Sequence, residues 1–282
     1  MPAPPLSAPL LPAPLLKVSG LSRHFGGIAA VSNVTFAVTP GEVIGLIGPN
    51  GAGKTTLVNL LTGALKPSAG RIEYLGQDVT DQKPFEAARR GLVRTYQIVQ
   101  PFPDMTVAEN VAAAGLFSGR SATRRAADAD ARAHLASVGL SDRADSRAAE
   151  LSLQGRKKLE FARALAMRPK LLLLDEVNAG LNPSEIDEAL TLIHRLAAEG
   201  VTIVCIEHLM KVVMGISRRI LVLHHGELIA DGPPDAVVAD PKVVEAYLGH
   251  RYAERTRAEQ TRAERRPAAG HGGQPGGAGA VP

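Results

Sequence analysis

The sequence predicts an α/β fold: a parallel sheet covered by helices, with an all-helical segment inserted into it. Three observations point there. Short, continuously apolar runs at 42–48 (EVIGLIG), 170–176 (KLLLLDE) and 201–207 (VTIVCIE) are separated by helical patterns, as in strands buried on both faces. A glycine-rich turn, GPNGAGKTT at 48–56, joins the first of these runs to a helix. Between Pro101 and about Arg168 the strand signal disappears and Ala-rich helical patterns replace it.

In chain order, residues 1–15 are apolar and Pro-rich. They have no basic start and their prolines interrupt any helix, which predicts a disordered arm rather than a signal peptide. Strands and helices alternate from about Leu16, with a helix from Lys54 to about Leu61. Within 101–168, TVAENVAAAGLF and ATRRAADADARAHLASVGL read as helices of a helical subdomain. KLLLLDE is a buried strand, followed by a helix from Ser184 to about Ala198, and VTIVCIE is another strand. RRILVLHHGELIADG (218–232) reads as two strands around the turn His225–Gly226. After Leu248 the chain becomes polar, with TRAE repeated and then a Gly-rich end. The predicted division is therefore an arm (1–15), one domain (16–250) and a disordered tail (251–282). Within the domain, 16–100 and 169–250 form the core and 101–168 the helical insertion.

A chain of 282 residues with 45% hydrophobic content can bury a large core. Its +4 charge resides mostly in 251–282, where six arginines face three glutamates, so the rest is close to neutral and shows no nucleic-acid footprint. The single cysteine, Cys205, excludes an intrachain disulfide. No apolar run approaches the roughly 20 residues that span a bilayer, so any membrane span must come from a partner.

The residues at 48–56 match a phosphate-binding P-loop, in the required context of strand before and helix after. Glycines let successive N–H groups turn inward around phosphate oxygens, and the helix start adds about half a positive charge. Lys54 carries a full charge to the β- and γ-phosphates, and the Thr55 hydroxyl is a hard oxygen for Mg²⁺. The competing reading is a turn that only connects strand to helix. Asp175 ends a buried strand, where a carboxylate needs a partner; Mg²⁺, through a water, is the natural one. Glu176 follows and would point at a water rather than the metal; the competing reading is a strand end that happens to finish in two acids. Gln97, in VRTYQ, could touch Mg²⁺ and the attacking water, or be an ordinary polar loop residue. His208, in CIEHLM, could reach the γ-phosphate, or be a structural strand-end histidine.

The order GPNGAGKTT, TYQ, LS…G, LLLLDE, GLN and EH across 16–250 resembles the ATP-binding subunit of an ABC transporter. RHFGGIAAVSNV, GLVRTYQIVQPFPDMTVAENV, NAGLNPSE, EHLMKVVMGISRRILVLHHGELIADGPP and DPKVVEAYLG resemble, more finely, the longer ATPase subunit of bacterial branched-chain amino-acid importers. The resemblance implies a P-loop NTPase core of RecA-like type, an N-terminal antiparallel β region and the inserted helical subdomain. It implies ATP and Mg²⁺ as ligands. Phe25 would stack on adenine, although a core phenylalanine near a strand end reads the same in sequence. Gly48, Pro49, Asn50, Gly51, Ala52, Gly53, Lys54, Thr55 and Thr56 would hold the phosphates. Thr55, Gln97 and Asp175 would surround Mg²⁺, with Glu176 as base and His208 as γ-phosphate sensor.

LSLQG (151–155) stands where the family's signature LSGGQ stands, with Leu153 and Gln154 replacing two glycines. The resemblance implies that Ser152, Gly155 and this helix start act on the ATP of a partner ATPase. Asn182 stands where many relatives have Asp, and Val177 where many have Pro. The implied partners are integral-membrane permease subunits, a paralogous ATPase in a mixed dimer (or a second copy), and, indirectly, a periplasmic or lipid-anchored solute-binding protein; the implied place is the cytoplasmic face of the membrane. Two other functions fit the motifs: a soluble ABC ATPase outside transport, which calls for a tandem ATPase pair or a basic face, and a nucleotide-gated module with little turnover.

Overall fold

The computed structural model describes residues 13–96, 100–207 and 210–248. The Pro-rich arm up to residue 12, Gln97, His208 and the tail after Leu248 lie outside the described residues. Two sheets form the framework. The first is antiparallel: β1 (Leu16–Phe25), β2 (Ile28–Val38), β4 (Ala69–Tyr74) and β5 (Gln77–Asp78), in the order β2-β1-β4-β5. The second holds β3 (Val43–Ile47), β6 (Leu92–Arg94), β7 (Leu171–Asp175), β8 (Thr202–Ile206), β9 (Arg219–His224) and β10 (Glu227–Gly232), in the order β10-β9-β3-β8-β7-β6. All its pairings are parallel except β9 with β10.

The four leucines of β7 show why this sheet needs cover on both sides. Side chains alternate along a strand. Leu171 and Leu173 enter the core shared with β1, β2, β4 and helix α1 (Lys54–Leu61). Leu172 and Leu174 enter the core on the opposite face. That second core is closed by α3 (Val107–Phe117), α4 (Arg124–Ser137), α5 (Leu153–Ala166), α6 (Pro183–Ala198) and α7 (Met210–Ile216). Helix α2 (Pro84–Arg90) leads into β6, while α8 (Pro234–Ala239) and α9 (Pro241–Leu248) pack Val237 and Val243 against Ile47 and β9. Between β6 and β7, the described residues carry three α-helices and no strand of either sheet, and α3, α4 and α5 pack on one another.

The β9–β10 turn positions the site. His225 (φ 48) and Gly226 (φ 81) are both left-handed, the two-residue turn that matches strand twist. Gly226 N–H donates to Ala52 O at 2.9 Å, and Ser32 N–H donates to Gly226 O at 2.8 Å. This turn thus ties the glycine-rich loop to the antiparallel sheet.

Candidate functional site

The glycine-rich loop leaves the C-terminal end of β3, beside the ends of β7 and β8, where a parallel sheet places its ligands. Two glycines permit its path. A Cβ on Gly48 would stand 2.2 Å from Leu223 O, and one on Gly53 (φ 102) would stand 2.3 Å from Ala30 O. Gly53 is the N-cap of α1, so no side chain caps this helix, and its first turn holds no acid. Its leading N–H groups and positive dipole end are thereby left to an external anion, which fits a phosphate. Lys54 is buried, and its Nζ donates to Gly48 O (2.7 Å) and Pro49 O (3.0 Å) across the loop. Burial lowers its pKa, and the Glu176 and Asp175 carboxylates oppose that shift. Both acids therefore lie near enough for their charge to act on the loop's lysine.

Asp175 has a partner within its own chain. Arg94 Nη2 lies 2.6 Å from Asp175 Oδ2, with the two side chains 8% and 7% exposed. Asp175 and Thr55 line one cavity of about 470 Å³ with Arg94, Tyr96, Glu160 and Arg163. A hydroxyl and a carboxylate are hard oxygen donors suited to Mg²⁺. Among the described residues no three His, Cys, Asp or Glu cluster, so this set fits a metal shared with phosphate oxygens, not an all-protein cage.

Glu176 adopts φ 48, a conformation uncommon outside glycine, and its N–H donates to Ile206 O at 2.9 Å. Such local strain concentrates at functional sites. Lys157, on α5, reaches the same turn: its Nζ donates to Val177 O at 2.6 Å and to Glu176 O at 3.5 Å. The helix that begins at the signature is therefore bonded directly to the backbone of the candidate base.

Ser152 is the N-cap of α5, and its Oγ accepts the Gly155 N–H at 3.2 Å. The hydroxyl can still donate its own hydrogen outward. Leu153 is exposed and sits against Gly180, while Gln154 Nε2 donates to Glu188 Oε2 at 3.1 Å on α6, where Lys158 also binds at 2.9 Å. The two unusual signature residues thus pack on their own chain's 179–182 loop and α6. Asn182 caps α6: its Oδ1 accepts Glu185 N–H at 3.0 Å, and Glu185 Oε2 accepts Asn182 N–H at 2.8 Å. Asn and Asp cap about equally well, which accounts for the replacement. Val177 is buried and offers Lys157 a carbonyl, which needs no proline.

Phe25 is 44% exposed, so it is not a core side chain; the Arg23 guanidinium lies 4.7 Å from its ring centre. Gln97 and His208 lie outside the described residues, so their expected approach to the site stays an expectation. Three features escaped sequence reasoning. Arg94 reads as one more charge at a strand end, and Lys157 as one of the basic residues that follow the signature. Phe85, Phe102 and Phe117 are exposed around a second cavity of about 220 Å³, which shares Arg163 and Met167 with the cavity of Asp175. Nothing in sequence spacing groups these phenylalanines.

Residues 31–179 match the ABC transporter family. The chain belongs to that family. Residues 227–253, which include β10, α8 and α9, match a second family described as the branched-chain amino acid ATP-binding cassette transporter. The high-affinity branched-chain amino acid transport ATP-binding protein LivG of Escherichia coli (strain K12) is 43% identical over 250 residues, which cover 84% of this chain and 98% of that protein. A nucleotide-free ATP-binding cassette of an ABC transporter superposes with TM-score 0.76 at 33% identity, over 84% of this chain and 100% of that one. A dimeric cassette bound to ADP and Pi, in a post-hydrolysis state, superposes with TM-score 0.70 at 25% identity, over 78% of this chain and 98% of that one. The cassette described here is an ABC transporter ATPase, with the family's antiparallel sheet, mostly parallel sheet and helical region. Among its described residues no helix is long and apolar enough to cross a membrane.

Proposed function

We propose that this cassette binds ATP with Mg²⁺ and hydrolyses it at the cytoplasmic face of a membrane, to energise import of branched-chain amino acids through separate permease subunits. The observation that carries this reading is the uncapped start of α1 behind Gly53, with Lys54, Asp175 and Glu176 gathered at one end of the parallel sheet. The solute follows from the similarity to LivG and from the match at 227–253. The exposed phenylalanine groove supports a membrane partner: an apolar segment seated there would touch Arg163 and Met167, which also line the cavity of Asp175.

In this mechanism the α1 N–H groups and Lys54 orient the phosphates. Thr55 and Asp175, with Gln97, would hold Mg²⁺. When bound, that ion neutralises charge on the β- and γ-phosphate oxygens. Glu176 takes a proton from the water that attacks the γ-phosphate, and His208 would contact that phosphate. Phe25, exposed at the end of β1, offers a face for adenine. The test is proteoliposomes holding the cassette, its permease subunits and its solute-binding protein. Uptake of branched-chain amino acids should require ATP, and Lys54→Ala should lose both ATP binding and uptake. Undiminished ATP-driven uptake by the Lys54→Ala complex would overturn the reading.

The signature supports a mixed dimer with a paralogous ATPase. Each ATP of a two-cassette sandwich meets one P-loop and the other subunit's signature. Leu153 and Gln154 put side chains where two glycines would leave the helix start open to a phosphate, and one lost donor of this kind typically costs about 2.7–4 kcal/mol. Leu153→Gly with Gln154→Gly is expected to raise the ATPase rate of the isolated chain more than that of the mixed dimer. Equal rates for the isolated chain and the complex, with no change in the variant, would make LSLQG a neutral variant.

A further inference from the structure

Arg94 closes β6 and sits between two parts of the site. Its Nη1 donates to Asn59 Oδ1 at 2.5 Å on α1, the helix that Lys54 begins, and its Nη2 donates to Asp175 Oδ2 at 2.6 Å. The pair is almost fully buried. A carboxylate at this depth without a counter-charge is strongly unfavourable, and breaking such a pair by removing one partner is costly. Arginine is permanently charged, and its planar fork suits two acceptors at once. The guanidinium occupies Oδ2 and neutralises the carboxylate, so a divalent cation meets a charge already compensated unless Arg94 gives way. The Tyr96 ring, 4.9 Å from the Arg94 guanidinium carbon, is a further partner of this cation.

We infer that Arg94 is a built-in counter-cation of Asp175. It occupies the carboxylate before nucleotide binds, so that a divalent metal gains this ligand only when it arrives together with phosphate. The fork has a second effect. Through Asn59 it ties α1 to the end of β7, so the helix behind the phosphate loop and the metal carboxylate are aligned before either ligand is present. Arg94 thus acts as a positioning residue. The inference rests on the reading of Asp175 as a metal ligand.

Mn²⁺ titration of the full chain, followed by electron paramagnetic resonance, tests it. Without nucleotide, Arg94→Met should bind Mn²⁺ roughly tenfold or more tighter than the wild type, within the usual range of linkage between two ligands. Arg94→Lys keeps the charge but cannot fork to both Asn59 and Asp175, so its gain should be smaller. Adding Asp175→Asn should remove both gains. Thermal unfolding gives an independent readout: Arg94→Met should lose Tm and recover it with Mn²⁺ alone, whereas the wild-type Tm should not move. Unchanged Mn²⁺ affinity in the Arg94 variants overturns the inference. If neither variant folds, the wild type decides: nucleotide-free Mn²⁺ binding that disappears with Asp175→Asn overturns it, and its absence upholds it. The underlying reading fails separately, if Asp175→Asn leaves Mn²⁺ binding in the presence of ATP unchanged.

Discussion

Glu176→Gln is expected to keep ATP binding and to slow turnover about 10²–10⁴-fold, the usual contribution of a positioned general base. The substitution leaves in place the backbone bonds that set the turn at this residue. Its left-handed φ of 48 is held by its N–H on Ile206 O and by Lys157 on the neighbouring carbonyls, and an amide side chain disturbs none of these. The amide cannot accept the proton of the attacking water, so nucleotide should accumulate in a closed dimer. Single-turnover hydrolysis and size-exclusion chromatography with ATP measure the two halves of the expectation. Near-wild-type turnover in the assembled transporter would remove Glu176 from its role.

Gly53→Ala should be nearly as damaging, through geometry rather than chemistry. The new methyl would meet the backbone oxygen of Ala30 at 2.3 Å, and Gly226 Cα lies 3.4 Å away on the same side. Neither neighbour is a side-chain end that can swing aside, so the start of α1 must shift, and Lys54 with it. A displacement of about 1 Å at a reacting group can cost about 10²-fold in rate, so ATPase turnover is expected to fall by that order, and ATP affinity, read by calorimetry, should fall with it. Gly76→Ala is the control: its φ of 72 is comparable, but nothing lies within 4 Å of the added carbon. It should lower stability by about 1–3 kcal/mol and leave ATP affinity alone. Equal affinities for the two variants would show that the contact with Ala30 does not position the loop.

The sequence by itself determined the elements whose signals are local. The glycine-rich loop needs its residue types within nine positions, and the helix behind it begins at Lys54 as read. The leucine run had to become a strand buried on both faces, because its side chains alternate between two apolar cores. The His225–Gly226 turn was legible for the same reason. Only the tertiary structure decided who stands opposite the candidate catalytic groups. Arg94 and Asp175 are 81 residues apart, Lys157 and Val177 are 20 apart on different elements, and Gln154 reaches Glu188 across 34. Charge and hydropathy patterns state that such side chains are polar. They do not state which strand register or helix packing brings two of them within 3 Å. That is set when both faces of the sheet are covered, and burial then leaves each charge only the partner that the packing supplies.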